Sequence, residues 1–291
     1  MAQEIVLAGG KRTPFGDFGK SLKDIPLTAL ATHAAKACVE DAEILPEDID
    51  HLVWGNVLPV DPDGYYTGRA AALNIGMKEE SCAMQVNRAC GSGTQAILTA
   101  AQQIMTGHGK IALAGGGENF SRAPFANQKM RWGAIRGAQS FEDTMESVYS
   151  DPFGHGLMGA TAENLSEDFQ YRREDMDAWG LMSQQRAGKA IATGFLARQI
   201  APIEVPEGRK GTRLMSEDEF PRPEITLEKL ATLKPVFRKG GQVTPGNSSG
   251  VTDGAAFVLV GDRAALEAKG IEPVARIVDW TIVGVSPRIM G

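Results

Sequence analysis

Residues 4–118 alternate between two hydrophobic periods, and this alternation limits the possible fold more than any other feature of the chain. EIVLAG (4–9) reads as a strand, and LTALATHAAKACVEDA (27–42) as a helix with Leu27, Leu30, Ala31, Ala34, Ala35 and Cys38 on one apolar face. HLVWGNVL (51–58) reads as a strand and GYYTGRAAALNIG (64–76) as a helix closed by Gly76. CAMQVN (82–87) is a strand, SGTQAILTAAQQIMTG (92–107) a helix, and KIALAGGGE (110–118) another strand. Such alternation predicts an α/β fold with a mostly parallel sheet covered by helices on both faces.

The pattern changes near Asn119. TAENLSEDF (161–169) and the stretch from about Arg173 to Thr193 read as helices, while EVPEGRKGTR (204–213) and EFPRPEI (219–225) read as loops and edge strands. The strand–helix pattern resumes with GAAFVLVGD (254–262) and RAALEAKG (263–270). The last segment, EPVARIVDWTIVGVSPRIMG (272–291), begins another strand and echoes EIVLAGGKRTPFG near the start. It reads either as a C-terminal edge strand or as the opening of a repeated half.

Composition excludes several classes. A net charge of −6 offers no basic surplus for nucleic acid. No run approaches the roughly 18 apolar residues a membrane span needs. The N-terminus enters an apolar strand at once and has no signal-peptide pattern. Three cysteines, Cys38, Cys82 and Cys90, are too few for a disulfide framework and suit a reducing, cytoplasmic compartment.

Cys90 lies between the strand 82–87 and the helix from Ser92. In an open α/β sheet, chemistry gathers beyond the carboxyl ends of the strands. A thiol at a helix N-terminus is expected to have a lowered pKa, and the Cys90 N–H can face a developing oxyanion. A free cysteine is also a common small core residue, so the local pattern leaves both readings open. Cys38, on a helix's apolar face, and Cys82, inside a strand, read as core. Gly91 and Gly93 are not followed by the lysine of a phosphate loop, and GGGENF (115–120) lacks dinucleotide spacing.

VNRACGSGTQAI (86–97) and ALAGGGENFSRAP (112–124) resemble the thiolases, as do MGATAEN (158–164), GNSSGVTDGAA (246–256) and GVSPRIMG (284–291). The motifs stand in family order across essentially the whole chain. The resemblance implies a thiolase fold: an N-terminal half over 1–119 and 251–271, an inserted coenzyme A-binding loop domain over 120–250, and the start of a second half over 272–291. It implies an acyltransferase that makes or cleaves 3-ketoacyl-CoA by a ping-pong route through an acyl group on Cys90. By motif, Arg222 would lie near the nucleotide and Ser249 and Gly250 near the pantetheine, while Phe237, Met158 and Met290 would line the thioester channel. Arg222 also reads as a solvated loop residue, and Phe237 and Met158 as core. Arg209, Lys210 and Arg213, or Lys129 and Arg131, are weaker candidates for the phosphates. Acyl-CoA and CoA are the implied partners, as substrates. No separate cofactor, nucleic acid or membrane is implied, and a homo-dimer or tetramer is.

Two departures qualify the resemblance. Where the biosynthetic branch carries a histidine before the MG of MGATAEN, this chain has Leu157, with His155 two residues earlier. The family's catalytic histidine, its second cysteine and an Asn-containing motif belong to the second half. These 291 residues contain no histidine beyond His155 and no cysteine beyond Cys90. The chain alone is therefore expected to be inactive, its thiol lacking a base. Two alternatives are a 3-ketoacyl synthase of the same superfamily, which lacks the long insertion, and a non-catalytic acyl-CoA-binding or scaffolding protein with the same fold.

Overall fold

The computed structural model describes residues 4–291, with the side chain of Lys210 outside the described set. In chain order the first elements are β1 (Ile5–Arg12), β2 (Gly16–Asp17), α1 (Leu27–Asp41), β3 (His51–Gly55), α2 (Thr67–Asn74), β4 (Cys82–Val86), α3 (Ser92–Met105) and β5 (Ile111–Glu118). Next come β6 (Phe125–Ala126), β7 (Glu142–Asp143), α4 (Thr144–Tyr149), β8 (Ser150–Asp151), β9 (Gly156–Leu157), α5 (Met158–Phe169) and α6 (Arg173–Ala192). The chain closes with β10 (Ile203–Pro206), β11 (Thr212–Met215), α7 (Leu227–Ala231), β12 (Thr252–Asp262), α8 (Arg263–Glu267) and β13 (Ala275–Arg276). Two compact units interleave along it. One comprises residues up to Arg122, Leu196–Glu219 and Thr252–Trp280; the other comprises Ala123–Phe195, Phe220–Val251 and Thr281–Gly291.

The first unit is built on a seven-stranded sheet ordered β13-β1-β12-β5-β3-β4, with β2 paired to β12. Parallel pairing joins β3 to β4 and to β5, while β12 runs antiparallel between β1 and β5. The sheet is thus mixed rather than mostly parallel. A strand–helix–strand crossover forces its two strands to run parallel; β12 enters from the second unit's segments and is free of that constraint.

Both faces of the sheet are buried, as the unbroken apolar runs predict. Leu52, Trp54 and Leu113 pack on one side with α1 and α2, and Val53, Ala112 and Ala114 on the other with α3. The helix α1 buries Leu27, Leu30, Ala31, Ala34, Ala35 and Cys38, and Asp61 caps it by accepting from Leu27 N at 2.9 Å. Trp54 stacks on Phe257 with ring centroids 5.2 Å apart. The β10–β11 hairpin belongs to this unit, anchored where Arg12 pairs with Asp218 at 2.7 Å. The strand read from sequence over 272–291 is reduced to the two residues of β13, paired to Val6 and Leu7.

The second unit is organised around α5 and α6. Buried Glu163 accepts from Gln242 N and Val243 N, both at 2.9 Å or less. Arg173 pairs with Asp177 at 2.8 Å and donates to the carbonyls of Leu230 and Leu233. These bonds clamp residues 230–247 onto the helices. The C-terminal segment is tied to α5 by Asn164 donating to Arg288 O and by the Arg288–Asp168 pair. Among the described residues no helix is long and apolar enough to cross a membrane.

Candidate active site

Cys90 stands beyond the carboxyl ends of β3, β4 and β5, in the turn that feeds α3. Two glycines bring that turn against the sheet. A Cβ on Gly55 would meet Ser92 C and O at 2.5 Å and Gly93 N at 2.9 Å, and one on Gly116 would meet Gly93 Cα at 3.4 Å. The helix therefore starts in backbone contact with the strand ends, and its opening residue Ser92 is buried.

The turn is held bond by bond. Ala89, a non-glycine residue, sits in the left-handed region at φ 44°. Its N–H donates to Asn87 Oδ1 at 3.0 Å, and its carbonyl accepts from Ser92 Oγ at 2.6 Å and Ser92 N at 3.0 Å. Ser92 Oγ also accepts from Arg88 N at 2.9 Å, and Arg88 Nε donates to Gln95 Oε1 at 2.7 Å. Gln95 N makes the first helical bond, to Gly91 O at 2.8 Å. The N–H groups of Gly93 and Thr94 come before it and have no intrahelical acceptor. The result is an exposed thiol in the turn that leads into the positive end of a helix.

The three cysteines divide by environment. Cys38 is buried, and burial pushes its thiol up to about 12. Cys90 is exposed. Cys82, read as core from its strand, is exposed as well. It is the first residue of β4, an edge strand that has β3 on one side only.

No histidine of the sheet unit accompanies Cys90. His51 begins β3, about 13 Å of strand from Gly55, and burial lowers its pKa. His108 follows the far end of α3, about 20 Å of helix from Ser92. The His33 ring lies 3.3 Å from Ala201 O. Among the described residues no group of three His, Cys, Asp or Glu side chains could hold a metal ion.

The titratable group that sequence reasoning missed is Glu118, the last residue of β5. Burial pushes its carboxyl up to about 7, against the pull of the Val57 and Leu58 N–H groups and the Asn56 amide. Its signal was faint: a glutamate closing a glycine run, in GGGENF.

The remaining sequence-predicted residues lie in the second unit and form two clusters there. Met158 opens α5, and the next residue, Gly159, leaves room for the Phe237 ring, which a Cβ would strike. Met290 is half exposed, and its neighbour Gly291 packs on Ala162 of the same helix. Phe237 is only partly covered, not the core residue its type suggests. The second cluster brings together Arg222 and Gly250 around Phe220. Arg222 donates to the Phe220 and Pro221 carbonyls, and a Cβ on Gly250 would enter the Phe220 ring. Ser249 is exposed beside them. Of the basic candidates, Arg213 is committed to Ser21 and Glu219 in the sheet unit. Arg209, Lys129 and Arg131 are exposed, and the Lys210 side chain lies outside the described residues.

The family model described as thiolase, N-terminal domain, matches residues 5–264. The chain belongs to the thiolase family. Its curated relatives include the beta-ketothiolase BktB of Cupriavidus necator, 40% identical over 292 residues, with 100% of this chain and 74% of that protein aligned. The mitochondrial 3-ketoacyl-CoA thiolase of Bos taurus is 40% identical, with 99% of this chain and 72% of that protein aligned. Among solved structures, human mitochondrial 3-ketoacyl-CoA thiolase in complex with CoA superposes at TM-score 0.93 and 38% identity, covering 99% of this chain and 72% of that one. Acetyl-CoA acetyltransferase of Bacillus anthracis superposes at 0.94 and 39%, covering 99% and 73%. The sequence-based expectations of a thiolase fold and a thiolase-type enzyme hold.

Proposed function

We propose that this thiolase-family chain carries the acyl group of a 3-ketoacyl-CoA reaction on Cys90. The observation behind this reading is an exposed thiol at the start of α3, beside a left-handed Ala89 that its neighbours lock in place. In the thiolysis direction the Cys90 thiolate attacks the 3-keto carbon. The C2–C3 bond breaks, the two-carbon thioester leaves as an enolate and takes up a proton, and the acyl group remains on sulfur. The thiol of free CoA then attacks that thioester, gives up its proton and releases the shortened acyl-CoA along with the Cys90 thiolate. Such a ping-pong route divides one difficult step into two.

Coenzyme A binding falls to the second unit in this reading, with Arg222 towards the nucleotide and Ser249 and Gly250 along the pantetheine. Met158, Phe237 and Met290 would border the acyl thioester. Leu157 in place of a histidine gives this border apolar character suited to longer acyl chains. A cytoplasmic homo-oligomer completes the proposal.

The 291-residue chain alone is proposed to be inactive. The sheet unit has no histidine at the strand ends where Cys90 stands, so deprotonation of the thiol has no general base there. Acetoacetyl-CoA thiolysis by the purified chain tests this. Turnover at no more than background is expected, and turnover near the roughly 10 s⁻¹ typical of enzymes would refute the inactivity.

A further inference from the structure

We propose that Glu118 is a positioning residue for the Cys90 nucleophile, acting through the Val57 loop and Asn87. The proposal rests on Cys90 being the acyl carrier, and it names what fixes the thiol's place. Asn56 N donates to Val86 O at 3.1 Å, and beyond it the chain leaves the sheet. Val57 and Leu58 thus lose strand partners for their N–H groups. One carboxylate takes both: Val57 N donates to Glu118 Oε1 at 2.5 Å and Leu58 N to Oε2 at 3.3 Å. The Asn56 amide group braces the same corner by donating to Gly117 O at 3.1 Å and Leu58 O at 3.4 Å.

With Val57 held in this way, its carbonyl accepts from Asn87 Nδ2 at 3.1 Å. That bond orients the Asn87 side chain, whose Oδ1 accepts from Ala89 N at 3.0 Å. Ala89 is the left-handed residue immediately before Cys90, and a non-glycine residue keeps that conformation only where its surroundings impose it. Ser92 holds the carbonyl side of Ala89, and Asn87 holds its N–H side. Glu118 therefore secures the nucleophile turn through three hydrogen bonds in series. The arrangement needs two acceptor oxygens, one for each N–H. A glutamine would keep one acceptor and turn an NH₂ group towards the other donor, and an alanine would leave two half-buried N–H groups unmet.

The test is alkylation of the purified chain by iodoacetamide at neutral pH, with Cys90 and Cys82 rates read separately by peptide mass spectrometry. Cys82 lies at the opposite end of β4 and serves as the internal reference. In the wild type, Cys90 should react ahead of Cys82. Glu118→Ala should slow Cys90 by about tenfold while Cys82 changes by less than about twofold, the size of effect expected when a hydrogen bond is lost. Glu118→Gln should recover part of the Cys90 rate. Asn87→Ala should slow Cys90 similarly, and combining it with Glu118→Ala should add little, because both act along one path. Additive losses, an unchanged Cys90 rate, or parallel changes at both cysteines would overturn the proposal. A wild-type Cys90 no faster than Cys82 would overturn the acyl-carrier reading itself, and the proposal with it. Glu118→Gln and Asn87→Ala keep the test decisive if Glu118→Ala fails to fold.

Discussion

Replacing Gly55 by alanine puts a methyl carbon 2.5 Å from the carbonyl carbon and oxygen of Ser92 and 2.9 Å from Gly93 N. These are backbone atoms at the first turn of α3, so no side chain can rotate away. Ordinary contact begins near 3.4 Å, and the helix start must retreat by about 0.9 Å, the difference between 3.4 and 2.5 Å. Overpacking of this kind costs about 1–3 kcal/mol. For a chain of this size that lowers the melting temperature by roughly 2–5 °C. Gly93→Ala is the matched control, because a Cβ there meets nothing within 4 Å. Gly93 lies inside the first turn of α3, where alanine is favoured over glycine by about 1 kcal/mol, so this variant should melt at or slightly above the wild type. Thermal melts followed by circular dichroism provide the comparison. If Gly55→Ala melts with the wild type, or if Gly93→Ala is the more damaging change, the close approach of α3 to β3 is not what seats the Cys90 turn.

Further tests follow from individual contacts. The Glu118 carboxyl has a folded pKa of about 7 against 4.5 for an unperturbed group, so the native state holds its proton more tightly than the unfolded chain does. The stabilisation is complete below about pH 4.5 and is lost as pH rises through 7; 2.5 units correspond to an upper limit of about 3 kcal/mol. Stability measured by urea denaturation at pH 5 and pH 8 should therefore fall less across that interval in Glu118→Gln than in the wild type, and an equal fall would exclude Glu118 as the source. Buried Cys38 should resist alkylation in the native protein and react only after unfolding; early native labelling of Cys38 would contradict its burial. Asp61→Ala removes the α1 cap and the carboxylate that Arg122 contacts at 2.6 Å, and should cost about 3 kcal/mol in denaturant titration. A loss below about 1 kcal/mol would mean that the cap and the ion pair contribute little.

The parts of this account that were legible in the sequence are those fixed by local pattern. The strand–turn–helix around Cys90 is contiguous, so residues 82–107 announced both the elements and the position of the thiol between them. Cys38 was legible for the same reason, since helical spacing identifies the buried face of α1. Cys82 was misread because its exposure depends on β4 being an edge strand, a property of the assembled sheet. The antiparallel course of β12 between β1 and β5 is likewise set by long-range pairing. Glu118 was barely legible because its partners Val57 and Leu58 are 61 and 60 positions away, and the glycine run before it does not tell that it will accept from two backbone donors. The Glu163 clamp was hidden in the same way, by partners 79 and 80 positions along the chain.

The measurement that most directly tests Cys90 as the acyl carrier is the location of the acyl group itself. The purified chain is incubated with isotopically labelled acetyl-CoA at about pH 9, where a thiol ionises without the general base that turnover needs, then quenched in acid and digested, and each cysteine peptide is read by mass spectrometry. The account predicts acetyl label on the Cys90 peptide, none on the peptides of Cys38 and Cys82, and loss of the label in Cys90→Ser. Label shared equally between Cys90 and Cys82, or no label on Cys90 at all, would contradict it.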